Sequence, residues 1–243
     1  MNTTQSAVPV RSRRSAAALR LLCLALLCAL FAAILPAQAH SVLDLDRSTR
    51  SVGLAPFTAY YHDPDGRLEL DGARQAMRDG RFQPLPGGRD SFGFQPGAFW
   101  FHIAARNRNA EVPRWLLVQE FALSDRLDVY TVDAAGRATY QAGGDSLPFA
   151  ARAIRYRHPN FWIDLPAGDT VDVFVRVRSQ SSMQVPLTLY TPSAFTELAR
   201  DAQFGIGLYY GILAALFFYN LVLWLSLRDS KIGRASCRER VLS

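Results

Sequence analysis

The chain has 243 residues, of which 49% are hydrophobic and 20% are charged, and its formal net charge is +6. This composition is ordinary for a folded protein and allows a packed core. The positive excess lies at the two ends, since residues 40–227 hold 18 basic and 19 acidic side chains. This middle part offers no net basic surface, and we therefore expect no nucleic-acid partner.

Residues 1–39 predict a signal peptide. Four arginines precede a Leu/Ala-rich stretch, which ends at a helix-breaking Pro36 and the small-residue sequence Ala37-Gln38-Ala39. A basic start, a short apolar helix and small residues before the cut are typical of a secretory signal, and we expect cleavage after Ala39. The alternative is an uncleaved anchor helix.

Residues 40–200 predict an all-β domain. In "TVDVFVRVRS" a valine stands at every second position, which is typical of a half-buried strand. Further runs of this kind are separated by Gly- and Pro-containing turns: "FWFHIAA", "RWLLVQEFAL", "RLDVYTV", "RATYQAG", "NFWIDL" and "QVPLTLY". Many short strands at this spacing predict an antiparallel, jelly-roll-like sandwich. Pro186 predicts an edge position for its strand, and helical spacing occurs at 71–80 and 193–203.

Residues 204–228 predict a transmembrane helix. The part from 206 to 227 is uncharged and long enough to cross roughly 30 Å of hydrocarbon. Arg228 follows at once and fits the inner side of the membrane, so residues 40–203 are expected outside. We expect the lipid bilayer to be a partner of this segment.

Three residues predict that this helix packs against further transmembrane helices. Gly207 and Gly211 are spaced so that a neighbouring backbone could approach closely. Asn220 places an amide at membrane depth, which is costly unless another helix supplies a hydrogen-bond partner. The alternative for the two glycines is simple tolerance of glycine in membrane helices.

Ligand binding is the chemistry that the β-rich part favours. Sugars and polyols are held by flat aromatic faces and by bidentate donors such as arginine. The candidates of these types are Trp100, Arg152, Arg155, Tyr156 and Trp162. The alternatives are core filling for each tryptophan and a solvated loop for the arginines. We expect a small-molecule ligand of the carbohydrate or polyol class.

No catalytic residue, metal site or cofactor is expected. The four histidines share no metal-ligand spacing, the middle of the chain has no cysteine, and the carboxylates are scattered. We therefore do not expect this chain to be an enzyme by itself.

Several segments together resemble a known family: "PGAFWFHIAARNRN", "RWLLVQEFALSDRLDVYTVDAAGR", "GGDSLPFAARAIRYRHPNFWIDLPAGDTVDVFVRVRSQSS" and "GLYYGILAALFFYNLVLWLSLRDS". Over residues 45–229 the chain resembles bacterial seven-transmembrane receptors with diverse intracellular signalling modules. The resemblance implies an all-β sensor domain in the periplasm, likened to carbohydrate-binding modules, and seven helices in the inner membrane. It also implies an output domain such as a diguanylate cyclase or a histidine kinase. This chain departs from that pattern, since it has one of the seven helices and no output domain.

Residues 231–243 predict a non-native tail. "KIGRASCRERV" is similar to one reading frame of a sequencing adapter, and Lys231 is the only lysine in the chain. We expect that the gene was cut after the first membrane helix. The alternative is a native basic tail that contacts lipid headgroups.

Three functions remain open at this point. The favoured one is the ligand-sensing domain of a membrane receptor whose output module is missing. The first alternative is a membrane-anchored carbohydrate-binding or carbohydrate-processing protein, which two carboxylates in one cleft would support. The second is a structural envelope adaptor, which an apolar patch without a pocket would support.

Overall fold

The computed structural model of the chain describes residues 41–227. The predicted signal peptide at 1–39 and the predicted tail at 231–243 lie outside the described residues, as does Arg228.

Within the described range, short strands come first and a long helix comes last. The strands are β1 (Leu43–Leu45), β2 (Ser51–Gly53), β3 (Ala59–Asp63), β4 (Gln83–Pro84), β5 (Ser91–Gly93), β6 (Ala98–Asn107), β7 (Arg114–Gln119), β8 (Arg126–Val132), β9 (Ala138–Gly143), β10 (Asn160–Asp164), β11 (Thr170–Arg178), β12 (Met183–Gln184) and β13 (Leu187–Tyr190). The helices are α1 (Leu70–Arg78) and α2 (Pro192–Leu227). Single 3-10 turns lie at Ala55–Phe57, Pro86–Gly88 and Phe149–Ala151.

Eleven of the thirteen strands form two sheets, in agreement with the predicted all-β sandwich followed by one apolar helix. The larger sheet has seven strands in the order β4-β3-β6-β11-β8-β9, with β1 also paired to β6. The smaller sheet has four strands in the order β10-β7-β13-β2, and β5 and β12 form a separate two-stranded pair. All pairings between these strands are antiparallel except that of β1 with β6, which is parallel.

The main core lies between the two sheets. The valines of β11 face inward, as their alternation predicts, and they meet Phe99, Phe101 and Ile103 of β6. Trp115 and Ile163 contribute from the smaller sheet and are fully buried. Burial of one such side chain stabilises the fold by about 1.5–3 kcal/mol, so this layer is the main source of stability for the sandwich.

The outer face of the larger sheet is covered by α1. Ala73 and Ala76 of the helix and Phe82 after it pack on Trp100 and Phe174 of the sheet. The helix therefore buries part of the outer face of the larger sheet, and the large aromatic residues Trp100 and Phe174 on that face are core residues.

The prediction that Pro186 marks an edge strand is wrong. Pro186 lies one residue before β13, and β13 is a central strand between β7 and β2. Because the proline precedes the first paired residue, its missing N–H group removes no hydrogen bond from the ladder.

The helix predicted at 193–203 and the predicted transmembrane segment are one continuous helix, α2, of 36 residues. The Oγ1 atom of Thr191 accepts a hydrogen bond from the N–H of Ala194 at 3.2 Å, which caps the start of the helix. At a rise of 1.5 Å per residue such a helix is roughly 54 Å long, which exceeds the thickness of a hydrocarbon core.

Candidate functional site

A cavity of about 670 Å³ opens at one end of the sandwich, where β6 and β8 begin and β11 ends. We call it the end cavity. It is lined by Phe94, Gln95, Pro96, Gly97, Asp125, Arg126, Arg178, Ser179 and Gln180. Three connections meet here: β5 to β6, β7 to β8, and β11 to β12.

The wall before β6 is fixed by backbone contacts. Gly97 has φ +84°, and a Cβ atom at this position would overlap the carbonyl oxygen of Asp63. His62 Nε2 donates a hydrogen bond to the carbonyl oxygen of Pro96 at 2.9 Å. Both contacts hold this loop against the end of β3, so this part of the cavity is formed in advance of any ligand.

Two arginines lie side by side in the end cavity. Arg126 of β8 and Arg178 of β11 are direct cross-strand partners in the antiparallel ladder. The Nε atom of Arg126 donates to the buried carboxylate of Asp128 at 2.9 Å, and this bond raises the pKa of Arg126. The side chain of Arg178 is exposed and forms no hydrogen bond or ion pair with any residue from 41 to 227. The cavity therefore presents one cation fixed by Asp128 and one without a partner among the described residues.

The rest of the cavity lining combines polar side chains with Pro96, Gly97 and one aromatic side chain. Asp125 accepts a hydrogen bond from the backbone N–H of Gln180 at 2.6 Å, which ties two of the three loops together. Phe94 is 78% exposed. An exposed aromatic face, amide and hydroxyl groups and a carboxylate are the groups that bind polyhydroxylated molecules.

A second region, which we call the helix seat, lies on the outer face of the smaller sheet. Its buried residues are Leu116 and Val118 of β7, Tyr156 of the loop before β10, and Phe195 of α2. The partly buried residues packed around them are Ile154, Trp162, Tyr190 and Ala199. The Phe195 ring lies 5.0 Å from that of Tyr156 and 6.1 Å from that of Tyr190, both in edge-on geometry. The first turns of α2 are thus part of the β-domain's hydrophobic packing.

Polar contacts surround the helix seat. Tyr190 donates to Glu120 at 2.6 Å, and burial together with this bond raises the pKa of Tyr190. Arg50 of the loop before β2 pairs with Glu197 of α2 at 2.6 Å. The Arg50–Glu197 pair joins α2 to the start of β2, and the Tyr190–Glu120 bond joins the end of β13 to the end of β7.

The loop before β10 is held in place by its own hydrogen bonds. Arg152 donates to the carbonyl oxygens of Tyr156 and Arg157 at 2.5 and 2.6 Å. The side chain of Asn160 bonds both the N–H and the C=O of Ile154, at 2.7 and 2.9 Å. Burial and the neighbouring cations Arg157 and Arg152 lower the pKa of His158 in this loop.

The structure separates Trp100 from the other four residues that the sequence singles out for ligand binding. Trp100 is fully buried on the outer face of the larger sheet, with the Arg176 guanidinium 5.7 Å from its ring centroid. Tyr156 and Trp162 belong to the helix seat on the other sheet, and Arg152 braces the loop that carries Tyr156. Arg155 is exposed on the same loop. The five therefore form no common site, and their role in ligand binding stays a prediction.

The helix-packing residues lie in the apolar part of α2. A Cβ atom at Gly207 or Gly211 would meet nothing within 4 Å among the described residues. Asn220 Nδ2 donates to the carbonyl oxygen of Leu216, one turn earlier, at 2.7 Å. Part of the amide's hydrogen-bonding capacity is thus met within α2, and contact with further helices stays a prediction.

The family model described as 7TMR-DISM extracellular 2 matches residues 55–191, which is more than half of the chain.

The chain belongs to the 7TMR-DISM extracellular 2 family. The matched range begins at the 3-10 turn before β3 and ends at Thr191, immediately before α2. Within residues 41–227, α2 is the one helix long and apolar enough to cross a membrane. The chain is therefore a membrane protein with an extracellular segment, and that segment is a sensory domain of a membrane receptor.

Solved structures show only weak similarity to this 7TMR-DISM domain. A candidate beta-galactosidase from Bacteroides fragilis matches with a TM-score of 0.35 and 10% identity, covering 58% of this chain and 23% of that chain. A β-glucuronidase from Ruminococcus gnavus in complex with D-glucaro 1,5-lactone matches with a TM-score of 0.31 and 15% identity, covering 60% of this chain and 30% of that chain. No curated protein sequence matches the chain. Similarity at this level assigns no ligand to the 7TMR-DISM domain.

A smaller groove of about 380 Å³ on the 7TMR-DISM domain contains three carboxylates, those of Asp133, Asp164 and Asp169. Asp133 pairs with Arg137 at 2.7 Å, and Asp164 pairs with Arg114 at 2.8 Å. Hydrogen bonds from the backbone and side chain of Arg137 lower the pKa of Asp133. A general acid requires a raised pKa, so Asp133 does not suit that role.

Sequence reasoning missed the end cavity. Its residues are spread over three connections that are far apart in sequence, and only the sheet topology brings them together. One signal was present in the sequence. The alternation in "VRVRS" places Arg176 and Arg178 on the polar face of their strand.

Proposed function

We propose that this chain is the sensing part of a bacterial inner-membrane signalling receptor. In this proposal the β-domain lies in the periplasm, and the end cavity binds a small molecule. Helix α2 is the first of seven membrane helices, and a diguanylate cyclase or histidine kinase follows them in the full-length protein.

The observation that carries this proposal is the continuity between the helix seat and the membrane segment. Phe195 is 2% exposed within the seat, and the same helix continues without interruption to Leu227. From Phe204 onward its side chains are almost all exposed, as suits a lipid-facing segment. An α-helix is stiff over this length, so a displacement of the seat would be passed to the membrane segment.

Strand β7 belongs to the helix seat, and the loop that follows it leads to Asp125 in the lining of the end cavity. Its residues Leu116 and Val118 pack beneath α2, and its last residue, Gln119, is fully buried. Gln119 Nε2 donates to Ser124 Oγ at 2.6 Å, and Ser124 directly precedes Asp125 of the cavity. The N–H of Gln119 donates to the carbonyl oxygen of Pro159, at the end of the loop that carries Tyr156. A ligand that binds one arrangement of these contacts more tightly would shift the equilibrium between two positions of α2. The free energy of this shift cannot exceed the difference between its binding free energies for the two arrangements.

The receptor proposal is tested by reading the genomic DNA beyond codon 227. We expect an open frame with six further apolar segments, followed by a cyclase or kinase domain. A native stop codon shortly after the first span would contradict the receptor and would favour a membrane-anchored carbohydrate-binding protein.

The coupling is tested in that full-length protein. Phe195→Ala is expected to disconnect the output from the ligand, because it empties the centre of the helix seat. Leu198→Ala is the matched control, since Leu198 lies on the same helix but is exposed. Equal, unchanged ligand responses in both variants would contradict signalling through the seat.

A further inference from the structure

We infer that the end cavity takes a small hydroxylated carboxylate, of the sugar-acid class, with Arg178 as the partner of the carboxylate group. This inference rests on the proposed function, because it assigns a ligand class to the cavity that senses.

Three arginines and one aspartate lie together on β8 and β11. Arg126 lies opposite Arg178, and Asp128 lies opposite Arg176, all on the outer face of the larger sheet. Asp128 is 3% exposed, and its carboxylate forms ion pairs with Arg126 at 2.9 Å and with Arg176 at 3.9 Å. One buried carboxylate is thus shared by two arginines, and the third arginine has no ion-pair partner among residues 41–227.

This arrangement favours an anion. Like charges placed directly opposite each other on neighbouring strands destabilise a sheet. An anionic group bound between Arg126 and Arg178 would remove that repulsion. A planar carboxylate also matches the fork of donors on a guanidinium, which a neutral hydroxyl group does not.

Arg126 is held in position before a ligand arrives. Its Nε atom donates to Asp128 at 2.9 Å, and its Nη2 atom donates to the hydroxyl of Tyr140 at 2.9 Å. Tyr140 in turn donates to Asp128 at 2.8 Å. A side chain fixed in this way loses little conformational entropy on binding, so its remaining donors form a prepared half of the anion site.

The end cavity also contains groups that do not suit a bare anion. Asp125 uses one oxygen to accept from the N–H of Gln180, and a carboxylate has further lone pairs that can accept from hydroxyl groups. Ser179 and Gln95 add donors and acceptors, and exposed Phe94 offers a flat face for C–H groups. An inorganic anion would meet repulsion from Asp125 and would leave Phe94 unused. A neutral sugar would leave Arg178 unused.

Isothermal titration of the full chain in lipid nanodiscs tests this ligand class. The probes are two acids, D-galacturonate and D-gluconate, and their neutral counterparts, D-galactose and D-glucitol. At least one acid is expected to bind about tenfold more tightly than its counterpart, which is the size of effect expected from one charge-assisted contact in a partly exposed site. Sodium sulfate is titrated as the bare anion and is expected to bind more weakly than that acid.

Variants locate the site. Arg178→Gln is expected to remove the preference for the acid over its neutral counterpart. Phe94→Ala is expected to weaken binding of the acid by several-fold. Arg89→Gln is the matched control, since Arg89 is exposed, forms no side-chain bond within residues 41–227 and lies outside the cavity. It is expected to bind like the parent chain.

Each remaining outcome overturns the inference. Equal binding of an acid and its neutral counterpart would overturn the role of charge, although a ligand-sensing cavity would stand. Tighter binding of sulfate would overturn the role of the hydroxyl groups, and the absence of binding by both acids would overturn the ligand class. The receptor proposal is tested separately by the genomic reading frame, so its failure can be distinguished from failure of the ligand class.

Discussion

The end cavity and the helix seat contain the same kinds of residue in opposite environments. Both combine aromatic rings with arginines. In the seat, Tyr156 and Phe195 are buried against each other, and Arg152 donates hydrogen bonds to backbone carbonyl oxygens of its own loop. In the cavity, Phe94 is exposed and Arg178 has no partner within residues 41–227. Aromatic and arginine residues therefore indicate a ligand site only where the fold leaves the ring faces exposed and the guanidinium donors without a protein acceptor.

The strongest test of this contrast compares one phenylalanine from each region. Phe195→Ala is expected to lower the free energy of unfolding of the β-domain by about 3–5 kcal/mol, because it leaves a cavity in buried packing. Phe94→Ala is expected to change it by less than about 0.5 kcal/mol, because Phe94 is exposed. Urea titration of the chain in nanodiscs, followed by tryptophan fluorescence, measures both. Similar losses in the two variants would erase the distinction between seat and cavity.

A smaller loss is expected where the cavity depends on its backbone. Gly97→Ala is expected to destabilise the β-domain by roughly 2–3 kcal/mol, since the new Cβ atom adds a clash with the Asp63 carbonyl to the strain of a positive φ. Gly168→Ala is the control, because Gly168 has φ +90° but open space around its Cβ position. It is expected to cost only the strain, about 1–2 kcal/mol. Equal losses by urea titration would show that the wall at Gly97 is not rigid.

Arg178→Gln is expected to raise stability slightly while it weakens ligand binding. Removal of the charge opposite Arg126 relieves repulsion worth about 0.2–1 kcal/mol across a strand pair. Urea midpoints at low ionic strength should therefore shift upward, and the shift should shrink when salt screens the charges. A lower midpoint would mean that Arg178 is held by a favourable contact.

A further, smaller effect concerns the pH dependence of the helix seat. The pKa of His158 is lowered in the fold, so folding favours its neutral form. This contribution is fully present above the unfolded pKa of about 6.5 and is lost as the pH falls through the folded pKa. The stability of the parent chain should therefore fall more steeply from pH 7 to pH 5 than that of His158→Gln. Parallel pH profiles would contradict burial of this ring beside Tyr156.

The sequence predicted the layers of the fold better than it predicted the site. The valine alternation of β11 and the apolar run of α2 depend on local periodicity, and both are found as predicted. Trp100 was a ligand candidate by residue type, but it is buried under α1 and Arg176. Its environment is set by the pairing of β6 with β3 and β11, which periodicity does not contain.

The helix seat shows the same limit. The spacing at 193–203 predicts a helix, and nothing in that spacing shows that Phe195 is inserted beside Tyr156 of a distant loop. The position of Pro186 also depended on strand order, because β13 is central and its proline lies outside the ladder. Element type is a local property, whereas neighbours across sheets depend on topology.

The most direct test of the account is the side of the membrane on which each end of α2 lies. Residues 41–227 contain no cysteine, so Arg155→Cys can be made in a chain whose Cys23 and Cys28 are replaced by serine, leaving Cys237 as the second label. A maleimide that does not cross the inner membrane should label the introduced cysteine in intact cells and Cys237 only after lysis. Labelling of Cys237 in intact cells, with residue 155 protected, would contradict a sensor domain outside the membrane.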